Sequence, residues 1–444
     1  MQTQQIGAIA ALAFFSALSP NQASAQDSIE SGYSSAVLPY PGSSATRTLS
    51  NGDVVTFNGT SIDRYDASGL LITNLGSFAS FMFSGCMAIA PDESYAIVGE
   101  TSNNDIFKVA LDGSGMSVLA NIVFNADAAF APNGELFVSA ATCGFCGFNE
   151  IIEVDVLTGA QRKIADLDGP SGPITFDALG NLYYATIDPV FPSPPASTDV
   201  LIFMAADVAT ADCNLGTCLT EANAIPYAQG YDGGSALEYD VTTGYVYMLE
   251  NNFGSGVNRV WRLTGGAPNF SDVLVEGTPS NWMSNLEFFA GASPATFEAY
   301  QPAGGATLHY SSTDFGSFSA RNAVTPQRAS IAITGPGATG PGPGAVEITG
   351  GVPGGAALLF YGSTTLKSMS ETAYSLAGIA PPIFSDLHLG SLTVLPGMIM
   401  SDGLGASSYA FTNPGGLNGL ISVQALLIDE GLVVVRGATP SVDL

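Results

Sequence analysis

The sequence predicts an all-β chain, a six-bladed β-propeller followed by a C-terminal β-sandwich, and three observations carry that prediction. A phrase made of an apolar run, a Pro/Asp/Asn/Gly turn and a second apolar run recurs through the first three quarters of the 444 residues. The runs are short and rich in β-branched and aromatic residues, and helix-period stretches are scarce, which favours strands. After Tyr310 the phrase gives way to short apolar runs cut by Gly and Pro.

The recurring phrase reads MAIAPDESYAIV from Met87, AAFAPNGELFV from Ala128, ITFDALGNLYYA from Ile174 and ALEYDVTTGYVYML from Ala236. A looser copy, TLSNGDVVTFNG, starts at Thr48, and a degraded one, LEFFAGASPATFEAY, at Leu286. Marked by their turns (Gly52, Glu93, Gly134, Gly180, Gly244, Ser293), the copies are spaced by 41, 41, 46, 64 and 49 residues, the length of one four-stranded blade. Each phrase reads as two antiparallel strands, and a second hairpin follows in most copies, from Ile62, Ile106, Ile151 and Val260. Six such units fit between Arg47 and Ser312. A lone blade exposes both faces of its sheet, so the units must close into a ring.

Residues 1–25 combine the apolar run IGAIAALAFFSALSP with the small tripeptide Ala23, Ser24, Ala25, the pattern of a signal peptide cleaved before Gln26. The expected location is therefore secreted, extracellular or periplasmic. The expected order is then an N-terminal segment at 26–46, the propeller at 47–320, a Gly/Pro-rich linker at 321–344 and the sandwich at 345–444. Within the linker, TGPGATGPGPG (Thr334 to Gly344) is unsuited to helix or central strand. The sandwich is read from runs such as GGAALLFYG from Gly354, GSLTVLPGMIM from Gly390 and NGLISVQALLIDEG from Asn418.

Charge divides the chain in the same place. Residues 26–320 carry 32 acidic and 7 basic residues, and residues 321–444 carry 7 and 4. So acidic a surface repels phosphate backbones and anionic lipid, which removes nucleic acid and membrane insertion from the expected partners. A small-molecule, carbohydrate or protein ligand remains, and carboxylates also keep a protein hydrated in salty surroundings. The sequence leaves the oligomeric state open.

In an exported chain, cysteines suggest disulfides. Cys213 and Cys218 bracket a short loop and are expected to pair, and Cys143 with Cys146, in C-G-F-C, are expected to tighten a loop in the same way. Cys86 opens an apolar strand and reads as a buried free thiol. The fourth unit is the longest because of two insertions, the Pro-rich Ile187 to Asp199 and the segment that holds Cys213 and Cys218.

The phrases from Gly172 to Tyr183 and from Ala131 to Val138 resemble the blade signature of NHL-repeat and SMP-30/gluconolactonase-like propellers. The segments Pro353 to Ala357 and Gln424 to Asp429 look like a β-sandwich module of secreted bacterial proteins. The propeller resemblance implies a divalent cation, Ca²⁺ or another, at the mouth of the central channel, held by side chains just ahead of the innermost strands. Those positions here are Gly85, Asp127, Gly172, Asp232 and Ser284 or Asn285, so Asp127, Asp232 and Asn285 are the implied oxygen ligands of a metal-dependent lactonase-type hydrolase.

Other chemistry is harder to assemble. The chain has two histidines, His309 in the weakest repeat and His388 in the sandwich, and no G-x-S-x-G elbow, so a Ser/His/Asp hydrolase finds no support. Glu250 and Asn251 end a strand of an innermost hairpin and could face a ligand, with an ordinary polar loop as the other reading. Phe145 and Phe148 could form a carbohydrate or peptide platform, or pack between blades. The sequence reading that follows is a secreted binding or scaffold protein, with the hydrolase as its alternative.

Overall fold

The computed structural model describes residues 27–30, 33–43, 45–142, 148–169, 171–186, 198–252, 257–263, 271–277, 281–289, 306–314, 320–326, 329–352, 354–363, 372–374, 383–385, 393–394, 398–403, 405–415, 420–428, 435–438 and 442–443. They fall into two compact units, one formed by the residues up to Glu30, from Ser35 to Phe289 and Thr307–Val324, the other by Tyr33, Ser34, Ala306 and the residues from Thr325 onward. Apart from one helix, Ala205–Thr210, and three short 3₁₀ turns, the described elements are strands.

Among the described residues the first unit holds six antiparallel sheets, each a meander of consecutive strands, two of them extended by a strand from the N-terminal segment. Their first strands are Ala45–Thr48, Ser84–Ile89, Asp127–Phe130, Ile174–Phe176, Gly234–Asp240 and Asn281–Phe289. Each first strand lies beside the first strand of the next sheet, and the sixth returns to the first, so the sheets stand in a closed ring, the arrangement of a β-propeller.

The apolar runs are continuous because both faces of each sheet are buried. Ala96 and Val98 of the second sheet join Val55, Phe57 and Ile62 of the first, whereas Ile97 between them joins Leu136, Val138 and Ile152 of the third. A strand covered on one face would alternate instead. The turns of the phrase are equally legible: Gly52, Gly134, Gly180 and Gly244 all take positive φ, the left-handed region that glycine enters freely. Glu93, at φ 54°, fills the same position in the second sheet, and its carboxylate accepts hydrogen bonds from the Ser50 N–H (2.6 Å) and hydroxyl (2.9 Å).

The N-terminal segment is not merely a lead-in. Tyr33–Val37 is the outermost strand of the sixth sheet, beside Ala320–Pro326, and Ser28–Ile29 adds a fifth strand to the fifth sheet, with Ser28 opposite Glu276. The long fourth unit carries the helix and the Cys213–Cys218 disulfide. Cys143, Phe145, Cys146 and the Phe148 side chain lie outside the described residues.

In the second unit, Ser330–Thr334, Gly342–Thr349 and Ser407–Asn413 form a three-stranded sheet, and Ala356–Ser363 pairs with Ile421–Ile428 in a larger one. Val346 and Ile348 of the first sheet share one core with Leu359, Ala425 and Leu427 of the second. The stretch from Thr334 to Gly344, expected to be irregular, differs from that expectation: it turns through a 3₁₀ segment and opens the central strand of the smaller sheet. Packing supplies the reason. A Cβ on Gly344 would lie 2.7 Å from the Phe411 ring, so the missing side chain is what lets the strand enter there.

Candidate functional site at the ring axis

Five of the six first strands meet around a small cavity of about 90 Å³ at the axis, whose polar lining includes Arg47, Asp127, Ser235, Ser284 and Asn285. Three of these strands break register where they reach it, between Ser84 and Met87, Gly234 and Ala236, and Ser284 and Glu287. Such a bulge re-aims a side chain that a regular strand would send elsewhere. Asn285 shows the device most plainly: it sits at φ 54°, a conformation Asn tolerates.

Glycine occupies the second strand's axial position for lack of room. A Cβ on Gly85 would stand 1.9 Å from Asn125 Oδ1 and 2.4 Å from its carbonyl oxygen. Asn125 is fully buried, and its amide donates to the carbonyls of Glu100 (2.9 Å) and Ile122 (3.1 Å). Cys86 beside it is a free thiol, 2 % exposed, and burial pushes its pKa up to about 12, so it is held as an unreactive thiol.

Both Asp127 oxygens are engaged by backbone, Oδ1 by the Ala128 N–H (2.9 Å) and Oδ2 by the Ile174 N–H of the next sheet (2.9 Å). Burial raises its pKa to about 6, with Arg47 and the two amides pulling the other way. Glu238, on the fifth sheet's first strand, is pushed further, to about 8, first by burial and then by Asp127 and Glu287, against the pull of Arg47. A carboxyl that holds its proton more tightly folded than unfolded costs stability as pH rises from the unfolded value of about 4.5 through the folded one. Glu238→Gln is therefore expected to stabilise the protein at pH 9 by on the order of 2 kcal/mol, allowing for its partial exposure, with the gain fading toward pH 4. Urea titrations at the two pH values read this directly, and a gain independent of pH would refute it.

The junction of the sixth and first sheets holds a buried polar network. Arg321, 0 % exposed, donates to Glu287 Oε1 (2.6 Å), the Asn285 carbonyl (2.5 Å) and the Ser311 hydroxyl (3.2 Å). Glu287 also accepts from the Thr48 N–H (2.8 Å) and hydroxyl (2.5 Å) of the first sheet, and His309 Nδ1 stands 3.3 Å away. Burial alone would raise the Glu287 pKa, but Arg321 and His309 outweigh it and hold the carboxylate well below the usual range. Arg47 adds a hydrogen bond to Asn285 Oδ1, whose own amide donates to the Thr46 carbonyl (2.8 Å).

Against the sequence expectations, the axis gathers two of the three implied metal ligands. Asp127 and Asn285 share the cavity, whereas Asp232 is exposed and outside its lining, its N–H donating to Glu250 (2.7 Å). The donor set does not suit a cation, because Asn285 Oδ1 already takes the Arg47 guanidinium and both Asp127 oxygens take amides. Among the described residues no group of three His, Cys, Asp or Glu is placed to hold a metal.

Glu250 and Asn251 are turned inward rather than toward a ligand. Glu250 is 4 % exposed and accepts from the Asp232 N–H and from Trp261 Nε1 (2.7 Å). Asn251, 1 % exposed, ties the fifth sheet to the sixth by donating to the Ser235 hydroxyl and the Met283 carbonyl, each at 2.6 Å. Sequence reasoning passed over Arg47, Glu238, Glu287 and Arg321. The available signal was scarcity, since a basic residue on a first strand is conspicuous where 7 bases face 32 acids.

No family model matches the chain. No curated protein matches it either. Similarity is confined to solved structures. The PQQ domain of a pyranose dehydrogenase from Coprinopsis cinerea is 10 % identical, with 69 % of this chain and 98 % of that one covered and a TM-score of 0.47. A gluconolactonase from Xanthomonas campestris is 12 % identical over 65 % and 88 %, TM-score 0.44, and a streptogramin B lyase 11 % identical over 63 % and 78 %, TM-score 0.39. These proteins differ in activity, and none lends its chemistry to this chain.

Proposed function

We propose that the chain is an exported, acidic binding protein, a six-bladed propeller that offers the polar cavity at its axis to a small ligand and carries a C-terminal β-sandwich as a second module. One observation supports this most: the cavity is lined by five different sheets and holds both signs of charge, Arg47 and Asp127, together with a Ser284 hydroxyl that is buried without a partner among the described residues. A buried hydroxyl left unpaired is costly, and a ligand that completes it recovers that cost. The apolar N-terminal run and the Cys213–Cys218 disulfide are in keeping with export.

The test is a thermal-shift panel of small sugars, amines and carboxylates. A ligand that binds the folded state raises Tm with concentration, and Asp127→Asn and Ser284→Ala are expected to abolish that rise. Hits insensitive to both substitutions would move the binding site away from the axis and defeat the proposal.

Asp127 and Asn285 sharing one cavity also keeps the metal-dependent hydrolase as a second reading. Because Arg47 already fills the cation's place, Tm is expected to be unchanged by EDTA and by added Ca²⁺. A rise with Ca²⁺ that Asp127→Asn removes would favour the hydrolase instead.

A further inference from the structure

The segments that lead into the second and third first strands each carry exposed aromatic side chains, on either side of the Ser102–Asn104 turn. Phe81, Phe83 and Phe124 are 59 %, 45 % and 39 % exposed, and Val123 beside Phe124 is 42 % exposed. The Phe81 and Phe83 rings meet edge to face, 5.3 Å apart at 87°, so one forms a floor and the other a wall. Paired exposed rings of this kind are uncommon on a protein surface and point to an interaction site.

The cluster is rigid before anything binds. The Phe81 ring lies against Gly59, where a Cβ would come within 2.4 Å of it, and the Met82 N–H donates to the Gly59 carbonyl (2.7 Å). The Phe83 N–H donates to the Ser102 hydroxyl (3.1 Å), and the Phe124 N–H to Asn104 Oδ1 (3.2 Å), so the Ser102–Asn104 turn holds both sides. That turn is itself fixed by Glu100, which accepts from the Ser102, Asn103 and Asp105 N–H groups at 2.7 to 3.0 Å. Phe124 is kept at φ 46°, a strained value for an aromatic residue that the neighbouring hydrogen bonds enforce.

Charge selects the occupant. Segments 78–84, 101–104 and 121–124 contain no ionisable side chain, and the two carboxylates that flank the turn are engaged within the protein, Glu100 by the turn's backbone N–H groups and Asp105 by the Asn121 amide (2.9 Å). A basic partner would settle on the carboxylates elsewhere, whereas this face offers aromatic rings rimmed by the hydroxyls and amides of Ser102, Asn103 and Asn121, all exposed. That combination suits a neutral sugar, whose C–H face stacks on a ring while its hydroxyls bond the rim.

We propose that Phe81, Phe83 and Phe124 form a preorganised platform for a neutral carbohydrate. Gly85, two residues after Phe83, and Asp127, three after Phe124, line the axial cavity, so the chain runs from the platform directly into it on two strands. It deepens the binding reading above by naming a ligand class, and it rests on that reading only for the cavity's share in the site.

The experiment is co-sedimentation of the full chain with insoluble cellulose, chitin and xylan, with retardation in gels that contain soluble β-glucan. At least one glycan is expected to retain the chain, undiminished at about 0.5 M NaCl because no ion pair is involved. Phe81→Ser with Phe83→Ser should weaken retention by about ten-fold or more, and Phe81→Tyr with Phe83→Tyr should restore it. The Tm of each variant, measured alongside, separates lost binding from lost folding, and a serine pair that loses retention while it still melts cooperatively supports the platform. Retention by none of the glycans, retention unaffected by the serine pair, or capture only by an apolar peptide resin would each overturn the proposal. Asp127→Asn distinguishes the two readings: glycan retention that survives it leaves the platform standing even if the axial cavity binds nothing.

Discussion

Arg321→Met is expected to lower the unfolding free energy by about 3–5 kcal/mol at pH 7, the penalty of leaving a buried carboxylate without its partner. Glu287 loses its 2.6 Å guanidinium contact, and the Asn285 carbonyl and Ser311 hydroxyl lose a donor with it. The pH dependence has a definite sign. In the wild type, the Glu287 pKa is depressed, so its contribution is fully present above the ordinary carboxylate range and is lost as pH falls through the lowered folded value. In the variant, burial is less opposed and the pKa moves up, so protonation relieves the penalty as pH falls. The difference between the two proteins should therefore shrink from pH 7 to pH 4. Adding Glu287→Gln should recover much of the loss, because the amide oxygen can still accept from Thr48. Urea titrations of the three proteins at both pH values decide it, and an Arg321→Met penalty that grows on acidification would count against this account.

Gly85→Ala should cost about 2–3 kcal/mol, a large effect for one methyl group. The new Cβ would stand 1.9 Å from the Asn125 amide oxygen and 2.4 Å from the Asn125 carbonyl oxygen. The amide could rotate only by giving up its bonds to Glu100 and Ile122, and the carbonyl belongs to the backbone. Asn125→Ala should for that reason rescue the variant only in part. The measurement is the Tm of each single variant and of the double variant. A Gly85→Ala protein as stable as the wild type would show that the second and third sheets can part at the axis without cost.

The repeated sheets were legible because their cause is local. A strand buried on both faces must be apolar throughout, and the Ala96, Ile97, Val98 run serves two cores at once. The turns were legible for the same reason, their positive φ being written as Gly in four of the phrases. The axis was legible only as a set of positions. Register placed Asp127 and Asn285 there correctly, but it could not say that Asp127 would be spent on the Ile174 N–H of the neighbouring sheet. Nor could it say that Glu250 and Asn251 would each turn back to bond the protein. The seam network was out of reach altogether: Arg47 and Asn285 are 238 residues apart, and only ring closure brings them together. The Gly/Pro stretch before Gly344 misled because the same residues that break a helix also let one strand pass close to another.

Closure by the strand Tyr33–Val37 also fixes an order of events. That strand precedes its partner, Ala320–Pro326, by almost three hundred positions, as the Ser34 contact with Thr325 at a separation of 291 records. Until the partner emerges, the early strand must stay unpaired, and the first and fifth sheets each present an apolar face that the unfinished sixth sheet has yet to cover. Contacts of such long range make folding slow, and open edges make the waiting species prone to associate. The ring is thus a structure whose beginning can be finished only at its end, and the interval between them is when the nascent chain is most vulnerable.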